Sequence, residues 1–105
     1  GFAYAEHATE RGFLSELHRV RGELLLLKGD DAAAEDALRA ALDVARQQQA
    51  RSFELRAATV LARLLHASGR TPGARAALEP VYNWFTEGHG TADLVAARTL
   101  LSEIG

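Results

Sequence analysis

Residues 22–42 read GELLLLKGDDAAAEDALRAAL. An apolar run ends at Gly29, two aspartates follow, and an alanine-rich stretch resumes with a helical spacing. Glycine closes a helix by taking up the left-handed backbone conformation. An aspartate just beyond it can cap the next helix, so the stretch predicts two helices joined by a Gly-Asp turn, with Asp31 as the second N-cap. Alanines at 33, 34, 37, 41 and 45, with Leu38 and Leu42, mark a face on which two helices approach closely. Residues 62–82, ARLLHASGRTPGARAALEPVY, repeat the pattern.

Working outward, Phe13, Leu17, Val20, Leu24 and Leu27 alternate steps of four and three, the stripe of an amphipathic helix. Leu14 and Leu25 widen it, which predicts packing on two sides. The pattern restarts at Phe53 with Ala57, Val60, Leu61, Leu64 and Leu65, and Gly69 closes it. Thr71-Pro72 predicts a helix start with Thr71 as N-cap. Ala74, Ala77, Leu78, Val81, Tyr82 and Phe85 continue the apolar face, and Pro80 predicts a kink because it cannot donate to the Ala76 carbonyl. Thr91 caps a last helix that turns Leu94, Ala97, Leu100, Leu101 and Ile104 inward. Residues 1–10 resemble the end of a further helix, set off by Arg11-Gly12. There is no strand pattern, and the fold class is all-α: an α-α superhelix of about six antiparallel helices.

Overlaying the chain on itself at a shift of 40 aligns residues 11–40 with 51–80. Nine of the thirty positions then match, among them Phe13/Phe53, Val20/Val60, Leu24/Leu64, Gly29/Gly69, Ala34/Ala74 and Leu38/Leu78. Trp84 and Phe85 could form a partner hot spot, but the same shift lays Trp84 on Tyr4 and Val44, which favours the core. The expected organisation is one domain over 1–105. It comprises the end of a preceding repeat (1–10), repeats at 11–50 and 51–90, and a C-terminal capping helix (91–105). A period of this size marks units that stack to share one core.

Composition narrows the function classes. The 105 residues carry 12 basic and 14 acidic side chains, with no cysteine. A net charge of −2 exerts no general pull on nucleic acid or anionic membrane. Without cysteine there is no disulfide framework, thiolate nucleophile or cysteine metal site. No basic-then-apolar leader opens the chain, and no apolar run is long enough for a span, so a soluble, cytoplasmic protein is expected. Residues 46–75 nevertheless hold six arginines against Glu54 alone, between acidic flanks. Such a basic middle either offers a modest site for an anionic partner or is a solvated face.

The spacing within each unit resembles the tetratricopeptide repeat. Its Gly/Ala position falls on Gly22 and Ala62, its following large residue on Leu25 and Leu65, and its turn glycine on Gly29 and Gly69. The small and large residues of its second helix fall on Ala34 and Ala74, then Leu38 and Leu78. His18 and Ala58 replace the opening aromatic, the closing proline is absent, and the period is about 40 rather than the family's 34. The strings ELHRVRGELLL, RSFELRAATVLARLL and PVYNWFTEGHGTADLVAARTLL resemble the C-terminal tails of bacterial transcriptional and signalling regulators with an ATPase module, often behind an adenylate/guanylate cyclase or DNA-binding domain. That resemblance implies a non-catalytic protein–protein interaction scaffold whose catalytic modules lie upstream of Gly1. The alternative it leaves open is a domain sensing a small effector.

Repeat geometry implies that one side of each first helix lines a groove. Here those positions are Glu16, Arg19, Glu23 and Leu26, then Arg56, Thr59, Arg63 and His66, then Thr99 and Glu103. The occupant would be a protein or peptide, or other domains of the same parent chain, with no direct contact to nucleic acid or membrane. A pocket able to enclose a metabolite between Arg56, Arg63 and His66 would favour the effector reading, and a shallow groove would count against it. His7, His18, His66 and His89 lack metal-ligand spacing. Ser15, Ser52, Ser68 and Ser102 are expected near helix ends, with no serine–histidine–acid set. No catalytic, cofactor or metal residues are therefore assigned. Gly88-His89-Gly90-Thr91 before a helix reads as a loop and cap, since Asp93 already supplies negative charge to that helix start.

Overall fold

The computed structural model describes residues 2–86 and 90–105, with side chains from Phe13 onward. Five α-helices follow one another: α1 (Phe2–Leu27), α2 (Asp31–Gln47), α3 (Arg51–Ala67), α4 (Thr71–Trp84) and α5 (Ala92–Ile104). There is no strand among the described residues. Five helices stand where about six were expected, because Arg11-Gly12 does not interrupt α1. A glycine inside a helix costs only about 1 kcal/mol, and stopping one also requires the left-handed turn that the later junctions carry. The side chains of residues 1–12, including the overlay positions Phe2 and Tyr4, and all of residues 87–89 lie outside the described residues.

Three helix ends share one device. The Gly29 N–H donates to the Leu26 carbonyl at 3.0 Å and the Asp30 N–H to the Leu25 carbonyl at 2.9 Å, with Gly29 at φ +82°. Gly69 and Arg70 repeat this on His66 and Leu65. So do Gln49 and Ala50 on Arg46 and Ala45, where Gln49 takes φ 54° without being glycine. These turns satisfy carbonyls that would otherwise be left bare at the helix ends. At helix starts two expectations shift by one residue. Asp30, not Asp31, caps α2 by accepting from the Ala33 N–H at 3.2 Å. Thr71 is the first helical residue of α4, with Arg70 at the cap position making no side-chain bond. Thr91 does cap α5 through Leu94 N–H. Pro80 lies within α4, which runs on to Trp84.

Neighbouring helices pack in chain order: α1 on α2, α2 on α3, α3 on α4, and α4 on α5, with α1 also meeting α3 and α3 meeting α5. The shortest extent, 20 Å, is two helix diameters. The core is therefore a sheet of side chains between two layers. Ala34, Leu38, Ala41 and Leu42 of α2 join Leu55, Ala57, Ala58, Leu61, Ala62 and Leu65 of α3, then Ala74, Leu78, Leu94 and Ala97. Small residues permit the closest approach at Gly22, where a Cβ would lie 2.8 Å from the Leu38 Cγ. Ser15, expected near a helix end, lies inside α1. It is buried and donates to the Ala41 carbonyl at 3.1 Å, tying α1 to α2.

The first stripe departs from expectation. Phe13, Leu14, Leu17, Val20, Leu24 and Leu27 are all exposed. Helical periodicity defines an apolar face, but burial also needs a neighbour. Helices α2 and α3 both lie on the other side of α1, which Ser15, Gly22 and Glu16 occupy. Phe53 is likewise only half-buried, under the Arg56 guanidinium at 5.8 Å from the ring centre.

Candidate functional site

Three helices meet here: α1 places Arg19, α3 Arg56, Thr59 and Arg63, and the first turns of α5 Asp93 and Ala96 on one concave side, and Glu16 and Glu23 of α1 pair with its arginines. The Arg56 Nη1 donates to the Glu16 Oε1 at 2.6 Å across α1 and α3. Those two residues are forty apart, so equivalent positions of the two overlaid stretches face each other. The Arg56 Nε donates to the Asp93 Oδ2 at 2.9 Å, which brings α5 into the same network. Arg19 closes it from the other side, donating to Glu16 Oε2 at 2.5 Å and to Glu23.

The network settles the charges. Partial burial pushes the Glu16 carboxyl up, but the hydrogen bonds and charges of Arg19 and Arg56 outweigh it and hold it below the ordinary glutamate range. Asp93 and then Glu16 hold the Arg56 guanidinium still more firmly protonated. Most of these groups are partly solvated, so each pair contributes less than about 1 kcal/mol to stability. Their effect is on orientation: Arg19 and Arg56 are committed to internal carboxylates. Arg63 is exposed, and no ion pair or hydrogen bond engages it among the described residues.

Beside Arg63 lies a concavity of about 280 Å³ lined by Arg19, Arg56, Thr59, Val60, Arg63, Asp93 and Ala96. It is smaller than the roughly 300–1,000 Å³ of sites that enclose drug-sized molecules, and it opens to solvent. The structure thus brings together Arg19, Arg56, Thr59 and Arg63 around it. Thr59 is nearly buried, and its hydroxyl is spent on the Leu55 carbonyl at 2.8 Å. His66 stands outside the concavity, its Nδ1 3.3 Å from the Thr71 Oγ1. Thr99 and Glu103 do not line it either. Helix α5 contributes its first turns instead, through Asp93 and Ala96.

Asp93 was the member hidden from sequence reasoning, where helix-start charge accounted for it. The lone acid of the basic middle stretch was visible, and its position explains it. Glu54 is 5% exposed and accepts from Arg46 Nε at 3.2 Å and Arg51 Nη1 at 3.0 Å. Trp84, expected in the core, is exposed instead, with Arg51 over its ring at 5.1 Å and Phe85 edge-on to it. Half-buried Glu35 is held low by Arg70 and then Arg39, which ties α2 to the α3–α4 turn.

Among the described residues no group of three or more His, Asp or Glu side chains could hold a metal ion. No helix there is long and apolar enough to cross a membrane. Comparison with protein-family models, with curated proteins and with solved structures finds no match.

Proposed function

We propose that the concave side of α1, α3 and α5 is a contact surface for a protein or peptide, and that the chain is a non-catalytic scaffold. Its helices would stack as a tetratricopeptide-like solenoid with units at 11–50 and 51–90. The observation that carries this reading is the contrast among the arginines. Arg19 and Arg56 are neutralised internally, while Arg63 projects beside an open concavity with no carboxylate of its own. An unpaired guanidinium on a shallow surface suits a carboxylate side chain or terminus of an extended partner. The small, open concavity supports this over the enclosure of a small effector. The resemblance to regulator tails supplies the context, a bacterial cytoplasmic regulator with an upstream ATPase module, in which the partner is another domain of the parent chain or a separate protein.

The test is fluorescence polarisation with labelled extended peptides, one set rich in Asp and Glu and a matched neutral set. The acidic set binds preferentially, Arg63→Glu weakens that binding about tenfold or more, as loss of a charge-assisted hydrogen bond would, and circular dichroism is unchanged. Equal binding of both sets, or equal affinity in Arg63→Glu, would remove the proposal's basis.

A further inference from the structure

The exposed stripe of α1 has a pattern that the rest of the fold does not use. Phe13, Leu17, Val20, Leu24 and Leu27 follow four-three spacing, averaging 3.5 residues, which suits the seam of a paired helix, with exposed Leu14 on its flank. The seam is open: Leu17 is 49% exposed, Leu24 54% and Leu27 84%. Its flanks are sorted by sign. Glu16 and Glu23 lie along one side, and Arg21 and Lys28 along the other. Arg21 and Lys28 are exposed and enter no ion pair among the described residues.

We infer that α1 pairs with α1 of a second copy of this chain, parallel and in register, along this seam. In that arrangement each acidic flank residue faces the basic flank residue five positions on in the second copy. Glu16 then meets Arg21 and Glu23 meets Lys28, on both sides of the two-fold axis. An antiparallel pair would set glutamate against glutamate and arginine against lysine. Glu16 is shared between Arg19 and Arg56, whereas Glu23 pairs with Arg19 alone and is more exposed, so the Glu23–Lys28 contact dominates.

Comparison within the chain argues against a stacked helical hairpin as the occupant. In α3 the overlaid face is covered by its neighbours: Val60 is 8% exposed and Leu64 6%, against 43% and 54% for Val20 and Leu24. Where that cover exists, the position matching Arg21 is the fully buried Leu61, and the position matching Leu17 is the small Ala57. A hairpin over α1 would bury the Arg21 guanidinium, whereas a single helix on the seam leaves it at the rim, where it lines a concavity with Asp36 of α2. Helix α2, against Ser15 and Gly22, and α3, against Glu16, cover the side of α1 opposite the seam. One helix of a second copy on the seam makes the assembly a dimer.

The chain contains no cysteine, so Leu17→Cys and Leu24→Cys each introduce one thiol. In the parallel pair, like positions of the seam meet, and each variant forms a disulfide-linked dimer when oxidised glutathione is supplied and reduced to glutathione. Arg39→Cys, on the far side of α2, does not. Light scattering on the unmodified chain gives twice the 11.3 kDa chain mass. Leu17→Glu/Leu24→Glu gives the single mass with helicity retained. Glu23→Lys weakens the dimer, and Glu23→Lys/Lys28→Glu restores it. A single-chain mass throughout a dilution series, or a dimer in which neither seam thiol cross-links, would overturn the inference.

Discussion

Gly22→Ala sets two effects of known sign against each other. Removing a mid-helix glycine favours the helix by about 0.5–1 kcal/mol. The added Cβ, however, would lie 2.8 Å from the Leu38 Cγ, 2.9 Å from its Cδ2 and 3.3 Å from the Ala34 carbonyl oxygen. Carbon pairs settle at roughly 3.5–4.0 Å, so α2 or Leu38 must move. Leu38 is fully buried, and its Cγ is the branch point rather than a loose end. Overpacking of this kind costs about 1–3 kcal/mol, which exceeds the gain in helix propensity. The expected net is about 1–2 kcal/mol of destabilisation, or a melting temperature lower by about 4–8 °C per kcal/mol. Thermal and urea unfolding followed by circular dichroism measure it. Gly73→Ala is the internal control, because its Cβ would meet only the Leu65 Cδ1 at an ordinary 3.7 Å; that change is neutral or stabilising. Leu38→Ala costs about 2–5 kcal/mol by itself, but in its background Gly22→Ala loses its penalty. A stabilising Gly22→Ala, or a penalty unchanged in the Leu38→Ala background, would refute the close α1–α2 contact.

Other perturbations follow from the same contacts. Ala74→Leu places a large side chain at a fully buried position and lowers stability by about 1–3 kcal/mol in urea titration; Ala34→Leu does the same on α2. Because Glu16 is held below its ordinary range, its contribution is present above the unfolded glutamate pKa of about 4.3 and is lost as pH falls through the lower folded value. Acid titration of Glu16→Gln therefore shows a shallower loss of stability below about pH 4 than the parent chain, and an unchanged acid slope would contradict the cross-helix network. Glu54→Ala leaves Arg46 and Arg51 without their shared carboxylate and opens a gap beneath them. It costs about 1–3 kcal/mol in thermal unfolding, whereas Glu79→Ala, on a half-exposed pair with Arg75, changes stability by less than about 0.5 kcal/mol.

Much of the fold was legible because it rests on local chemistry. Gly29 and Gly69 end their helices with positive φ as their positions imply, and Ala34 and Ala74 are fully buried where close contact was expected. The equivalent turn at Gln49 carries the same bonds without glycine, where the apolar face of α2 fades into the polar run Gln47–Gln49. The shift from Asp31 to Asp30 as cap reflects two adjacent aspartates, either of which can accept the orphan N–H groups. The first stripe shows the larger gap. Its periodicity specifies a face of α1, yet whether that face is buried depends on what stands opposite, which spacing alone does not encode. The overlay of Trp84 on Val44 points inward, but α4 ends at Trp84 and the indole lies along Arg51 instead. At the candidate site, helical spacing correctly put Arg56, Thr59 and Arg63 on one side of α3. Which arginine stays free depends on distances to Glu16 and Asp93 across other helices, and those exist only in the folded chain.

The most direct test of the contact-surface reading is an NMR titration of isotopically labelled chain with the acidic extended peptides. The expected result is amide shift changes concentrated at Arg19, Arg56, Thr59, Arg63 and Ala96, with the outer faces of α2 and α4 unaffected and Arg63→Glu abolishing the response. No shift with any acidic peptide, or shifts confined to α2 and α4, would contradict it.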